Sequence, residues 1–159
     1  MSSEVRLIPA TVDQIDLLID LTYRAKASWG YDAEFMDLLR VDIQLSPEMF
    51  ERDTFMCAER DNRVIGYAQL MPIDRPDTVY LKNLYVEPEA QGRGIGRLLI
   101  EWAFAETARQ GFDWLEWDSD PNAAPFYTRM GGEQIGETES TIRPGRIIPK
   151  FRKRVRPPA

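Results

Sequence analysis

Gln91-Gly92-Arg93-Gly94-Ile95-Gly96 joins a run of strand character, 79–86, to a run of helical character beginning at Gly94. Three glycines alternate with other residues at a helix start. There the first four N–H groups lack helical partners, and the helix dipole concentrates positive charge. Glycines let a bulky anion approach the backbone closely. The segment is therefore suited to hold phosphate on main-chain N–H groups. Two familiar phosphate loops do not fit it. A Walker loop needs Lys-Ser or Lys-Thr after its last glycine, and Gly96 is followed by Arg97-Leu98. A dinucleotide fingerprint starting at Gly92 needs a glycine at position 97, which is Arg97.

Outward from this loop the chain alternates strands and helices. Residues 5–8 read as a strand. Thr11 and Gln14 form a capping box before a helix that runs to about Lys26. Ser28-Trp29-Gly30-Tyr31 breaks that helix. A second helical stretch follows over 33–39, extending brokenly toward 45, with a capped turn at 46–50. Strands over 54–60 and 63–71 make a hairpin through Asp61-Asn62. A long strand over 78–86 stops at Pro88. The helix over 94–110 puts Ile95, Leu98, Leu99, Trp102 and Ala103 on one stripe and ends at Gly111. A strand over 114–117, a short helix from about 123 to 131, and strands over 133–137 and 147–154 complete the order. The strand–helix–strand unit in the middle predicts a parallel pair. The hairpins predict antiparallel neighbours. The expected class is α/β: one domain over 1–159, with a mixed, mostly antiparallel sheet of about seven strands and helices on both faces.

Composition narrows the chemistry. The 159 residues suffice for one domain with a real core. No apolar run is long enough to span a bilayer, and Met1-Ser2-Ser3-Glu4 lacks the character of a signal peptide. Cys57 is the sole cysteine and histidine is absent. Ser-His and Cys-His pairs and multi-thiolate zinc are thereby excluded, and no metal is expected. A cytoplasmic setting is the simplest expectation. Residues 143–159 hold seven basic residues and no acid, leaving 13 basic against 26 acidic residues elsewhere. Such a body suits a cationic partner such as an amine and disfavours nucleic acid. The basic run reads as a last strand with solvated charges and a frayed tail over 155–159.

The loop matches (Gln/Arg)-x-x-Gly-x-(Gly/Ala), with Gln91, Gly94 and Gly96 in the defining places. Leu84-Tyr85-Val86-Glu87-Pro88 before it and the 120–131 segment, with Ala123 and Phe126-Tyr127, follow the same pattern. In these features the chain resembles the GNAT superfamily of N-acetyltransferases. The resemblance covers residues 79–131 and implies acetyl-CoA as co-substrate and direct transfer of acetyl to a primary amine. It implies that backbone amides over Gly92, Arg93, Gly94, Ile95, Gly96 and Arg97 hold the pyrophosphate, with Arg93 and Arg97 adding charge. It implies that the backbones of Leu84 and Val86 line the pantetheine arm, the Val86 amide polarising the thioester carbonyl. It makes Tyr127 the general acid for the leaving thiolate. The family commonly has Asn seven residues before this Tyr. That Asn often contacts the pantetheine arm. Here its position is Asp120, with Asn122 two residues later, so these two are the residues expected toward the cofactor, Asp120 being suited also to capping the short helix.

An attacking amine must lose a proton. Glu116 and Asp118, on one face of a strand opposite Leu115 and Trp117, are the candidate carboxylates. Tyr23, Trp29, Tyr31 and Asp32 surround the break after the first helix. The resemblance puts the acceptor pocket there, and aromatics with an acid suit an amine. A hydrophobic latch between two helices would read the same way. Cys57 between Met56 and Ala58 reads as packing. A longer acyl-CoA, a non-catalytic coenzyme A-binding module, and nucleic-acid binding by the basic tail are the alternatives. Pairing of the last strand across a two-fold axis would make a homodimer.

Overall fold

The computed structural model describes residues 4–158. Its sheet has seven strands in the order β1-β2-β3-β4-β5-β7-β6. They are β1 (Arg6–Pro9), β2 (Thr54–Arg60), β3 (Arg63–Pro72), β4 (Thr78–Val86), β5 (Trp114–Asp118), β6 (Glu133–Glu139) and β7 (Ile147–Arg154). The helices are α1 (Ile15–Ala27), α2 (Ala33–Asp42), α3 (Pro47–Arg52), α4 (Ile95–Arg109) and α5 (Ala124–Arg129). Only β4 and β5 are parallel; every other pair is antiparallel.

Local chemistry sets the element ends. The Thr11 amide donates to Gln14 Oε1 at 2.9 Å and opens a 3-10 turn over Val12–Gln14, which feeds α1. Asp61 and Asn62 take positive φ of 55° and 62°, so the β2–β3 hairpin closes on a tight primed turn. Asp32 caps α2, its Oδ1 accepting from the Phe35 amide at 2.8 Å.

Residues 64–70 of β3 are buried, because the sheet is covered on both faces. Leu18 and Leu21 of α1 pack on one face with Phe55, Cys57, Val64 and Tyr67. On the other face α4 contributes Ile95, Leu99, Ile100 and Ala103 against Val79, Leu81, Leu115 and Trp117. The expected α4 stripe shifts slightly: Leu98 and Trp102 are half-buried at its edge, and Ile100 and Thr107 are inside.

β7 inserts between β5 and β6, hydrogen-bonded on both sides. The last strand therefore offers no free edge for pairing across a two-fold axis; β1 and β6 are the edges. The basic run is not simply solvated either. Arg143 pairs with Asp32 at 3.0 Å, Arg146 with Asp120 at 3.3 Å, Lys150 with Asp118 at 3.3 Å and Arg156 with Asp113 at 3.5 Å. Arg152 stacks on Trp114, 4.1 Å from the ring centroid. The tail expected to fray is anchored at its start, where the Val155 amide donates to Asp113 O at 2.8 Å and Arg156 reaches the Gly111 carbonyl. Ala159 lies outside the described residues.

Gly132 follows α5 in a crowded place. A Cβ there would lie 2.9 Å from Trp117 Cζ2, 2.9 Å from the Tyr127 carbonyl oxygen and 3.2 Å from Phe151 Cδ1. Gly132→Ala is expected to destabilise the fold by about 1–3 kcal/mol through overpacking, read from the denaturant midpoint.

Candidate active site

β4 and β5 pair only over Thr78–Tyr80 with Trp114–Glu116. Beyond that point they diverge. β4 stays on β3 as far as Val86, and β5 stays on β7 as far as Asp118. The parting strands open a wedge in the middle of the sheet. The Glu87 amide donates to Ile65 O at 2.8 Å on the β3 side. Amides alternate sides along a strand, so those of Val86 and Leu84 face the wedge. The wedge belongs to a cavity of about 540 Å³. Leu84, Val86, Gly92, Gly94, Gly96, Trp117, Asp118, Asp120 and Tyr127 are among its lining residues.

The glycine loop lies at one end. Gly92 and Gly94 take φ of +78° and +82°, and a Cβ at either would meet nothing within 4 Å. These glycines serve conformation: two left-handed residues separated by one of negative φ let successive N–H groups turn toward one concavity. The first helical bond of this end runs from the Leu98 amide to Gly94 O at 3.0 Å. No described residue accepts from the amides of 92–97. Gly96 has a different reason, since its Cβ would lie 3.3 Å from Phe126 Cζ. The Gln91 side chain braces the loop, donating to Val86 O at 3.2 Å. Arg97 lines the cavity but pairs with Glu101 at 2.8 Å, and Arg93 is exposed outside the lining.

Tyr127, on α5, lies across the wedge. Its ring packs 5.2 Å from Trp117 and 6.1 Å from Phe151. The residue is only 7 % exposed, yet its hydroxyl bonds to no described residue and is not sealed off from the cavity. Burial pushes its pKa up, with Tyr85 and Asp120 adding to the shift, so the phenol keeps its proton at neutral pH. Cys57 is 1 % exposed on the far face, and burial pushes its thiol up to about 12, with Glu59 contributing. It is a packing residue.

The two candidate carboxylates part company. Asp118 lines the cavity, accepts from Tyr80 Oη at 2.6 Å and pairs with Lys150. Glu116 does not line it. It is 5 % exposed and held by Arg75. The pairing with β4 that ends at Glu116 keeps it behind the point where the wedge opens.

The aromatic group after α1 also divides. Trp29 is at the rim and lines the cavity. Tyr23 instead lies under the Arg40 guanidinium, 3.7 Å from its ring centroid, and packs with α2. Asp32 is occupied with its cap and Arg143; the Phe35 amide, then Arg143, hold its carboxyl below the ordinary range. Neither of these two residues lines the cavity. Tyr31 stacks on Phe35 at 4.0 Å and turns its hydroxyl to Asp120 at 2.6 Å.

Asp120 does not cap α5, whose N-cap is Ala123. Its Oδ1 accepts from the Asn122 amide at 2.8 Å and Asn122 Nδ2 at 2.9 Å. Its Oδ2 accepts from Lys26 at 2.7 Å, Tyr31 at 2.6 Å and Arg146 at 3.3 Å. One carboxylate thus ties the end of α1, the loop before α5 and the loop before β7. Burial alone would raise the Asp120 pKa. The Lys26 charge, with hydrogen bonds from Lys26, Tyr31 and the Asn122 amide, holds it below the ordinary value. Lys26 and Arg146 escaped the sequence reading. Their sole signal was charge, which in sequence does not distinguish a buried cation from a solvated one.

A profile of the acetyltransferase (GNAT) domain family matches residues 51–131. Human N-acetyltransferase 8B is 25 % identical over 142 residues, which cover 82 % of this chain and 61 % of that protein. The chain thus spans about three-fifths of the length of the curated relatives it matches, 61 % and 60 %. The GCN5-related N-acetyltransferase of Rhodopseudomonas palustris superposes with a TM-score of 0.79 at 19 % identity, over 97 % of this chain and 98 % of its own. An aminoglycoside 6'-N-acetyltransferase complexed with coenzyme A gives 0.74 at 15 % identity, over 97 % and 99 %.

Proposed function

Because the chain belongs to the GNAT acetyltransferase family, we propose that it transfers acetyl from acetyl-CoA to a primary amine by direct attack on the thioester. The observation that carries this reading is the continuous wall from the free amides of 92–97, along the wedge-facing amides of Leu84 and Val86, to the Tyr127 hydroxyl. Its parts stand in the order in which coenzyme A presents pyrophosphate, pantetheine and sulfur. The amides of Gly92 to Arg97 hold the pyrophosphate. Leu84 and Val86 take the pantetheine arm as an added strand, and the Val86 N–H stabilises the developing oxyanion. Tyr127 donates its proton to the departing thiolate. Asp118, the cavity-lining member of the two candidate carboxylates, takes the amine's proton through water. No enzyme thiol enters, since Cys57 is buried and protonated. The neighbour complexed with coenzyme A supports this choice of co-substrate. A cytoplasmic setting belongs to the same reading. Among the described residues no helix is long and apolar enough to cross a membrane, and no group of His, Cys, Asp or Glu side chains could hold a metal ion.

Calorimetric titration with acetyl-CoA, with NAD and ATP as controls, tests the cofactor. Acetyl-CoA is expected to bind in the micromolar range and the controls not to bind. Gly94→Asp is expected to weaken binding by more than about tenfold, or ~1.4 kcal/mol. It forces an L side chain into φ +82° and sets a negative charge beside the pyrophosphate amides. Unaltered binding by Gly94→Asp would remove the loop from the site.

A further inference from the structure

On the α1 face of the sheet a chain of polar side chains runs from buried Asp53 to the cavity. Arg52 Nε donates to Asp53 Oδ1 at 2.7 Å. Gln69 Nε2 donates to Asp53 Oδ2 at 2.7 Å. Asn83 Nδ2 donates to Gln69 Oε1 at 2.7 Å. Gln69 is fully buried, and the Asp53 side chain is 0 % exposed. Asn83 lines the cavity. Gln69 and Asn83 are direct cross-strand partners, and the β3–β4 register slips next to them, between Gln69 and Leu70. Bulges of this kind re-aim side chains beside active sites.

The direction of this chain follows from chemistry. An ionised carboxylate only accepts. Gln69 must therefore give Asp53 its N–H, which turns its own oxygen to Asn83. Asn83 must then give its N–H to that oxygen, which turns Asn83 Oδ1 away from Gln69. No described residue donates to Oδ1, the atom is not among those buried without a partner, and Asn83 lines the cavity. A buried polar chain of this kind costs desolvation that apolar residues would avoid. When every link is satisfied, it specifies one orientation.

We infer that Asn83 Oδ1 is the hydrogen-bond acceptor for an N–H of the incoming amine, with Gln69 and Asp53 as its positioning residues. This rests on the acetyltransferase reading and deepens it. The ligand at this point is a donor, an amine or ammonium nitrogen. A carboxylate or carbonyl would meet oxygen against oxygen.

The test is an NMR titration of the full chain, isotope-labelled and saturated with coenzyme A, using benzylamine as the probe. The Asn83 and Gln69 side-chain amide resonances are expected to shift saturably. Asn83→Ala is expected to raise the benzylamine Kd about tenfold, the effect of one hydrogen bond lost. Its coenzyme A Kd should stay within about twofold, which also verifies its fold. Gln69→Leu, which frees Asn83 to turn, should weaken the amine similarly. The double variant should be no worse than Asn83→Ala alone, an outcome that a merely structural Gln69 would not give. Unmoved resonances at the solubility limit of benzylamine, or wild-type amine affinity in Asn83→Ala, overturns the assignment, and Asn83→Ala alone suffices should Gln69→Leu not fold. Failure of coenzyme A itself to bind instead overturns the acetyltransferase reading on which the assignment rests.

Discussion

Tyr127→Phe is expected to lower turnover at least about a hundredfold while leaving acetyl-CoA affinity within about twofold. The substitution removes one oxygen and leaves the ring, so the packing against Trp117 and Phe151 survives. No protein hydrogen bond is lost, because the hydroxyl makes none with a described residue. Whatever changes is therefore what that oxygen does in the cavity. General-acid assistance to a leaving group contributes about 10²–10⁴-fold. The expected fall is thus in kcat, with binding carried by the glycine loop and the wedge-facing amides. The raised pKa also fixes a pH expectation. Wild-type activity should show no loss from Tyr127 deprotonation below about pH 10, the ordinary phenol value, because burial moves that event higher. Burst-free steady-state kinetics and calorimetry on the same samples decide the matter. Unchanged turnover removes Tyr127 from the chemistry and leaves the fold assignment intact. A wild-type protein that binds acetyl-CoA yet turns over no amine is instead a coenzyme A-binding module, and Tyr127→Phe would then have no phenotype.

Asp120→Ala is expected to destabilise the protein by about 3–5 kcal/mol, the range for removing one partner of a buried ion pair. The side chains of Asp120 and Lys26 are 7 % and 6 % exposed, and that of Arg146 is 15 % exposed. Two cations share one carboxylate. Without it both are left out of water and uncompensated, and the links from α1 and from the loop before β7 to the β5–α5 loop are cut. Asp120→Asn keeps the shape and loses the charge, so it should fall between. The pH dependence has a definite sign. The folded Asp120 pKa lies below its unfolded value of about 3.9, so its contribution is complete above that pH and is lost as pH falls through the folded value. The folded Lys26 pKa is raised, since Tyr85 and Asp120 overcome a burial penalty that would lower it. Its contribution is complete below about pH 10.4 and is lost as pH rises through the folded value. The network should stabilise most between about pH 4 and pH 10, and denaturation of Asp120→Ala should show a flatter acid limb. A loss below about 1 kcal/mol would mean that Lys26 and Arg146 reach solvent or another anion.

What was legible in the sequence was what depends on near neighbours. The order of strands and helices follows from periodicity and turn residues, so β2, β4 and β7 begin and end where patterning puts them. The glycine loop was legible because its conformation is local: Gly92 and Gly94 are glycines at left-handed positions. Phe126-Tyr127 was legible through its separation from that loop. The fate of the aromatic group after α1 was not. Tyr23, Trp29, Tyr31 and Asp32 are within ten residues of one another, yet only Trp29 reaches the cavity. The others are claimed by Arg40, Asp120 and Arg143, from distant parts of the chain. Gln69 did carry a signal, a single amide in an apolar strand. Its partners Asp53 and Asn83 lie 16 and 14 residues away, on either side.

By itself the sequence determined the element order, the left-handed glycines that free the amides of 92–97, and the family to which they belong. Backbone propensity and turn chemistry act over a few residues, so a one-dimensional pattern can carry them. Only the tertiary structure decided that β7 slots between β5 and β6, that the wedge opens past Glu116 and leaves that carboxylate behind, and that Asp120 serves Lys26 and Arg146 rather than a helix cap. Those outcomes turn on strand register and on which opposite charges are desolvated together. Both are properties of residues far apart in the chain, and neither is encoded in the spacing of any one segment.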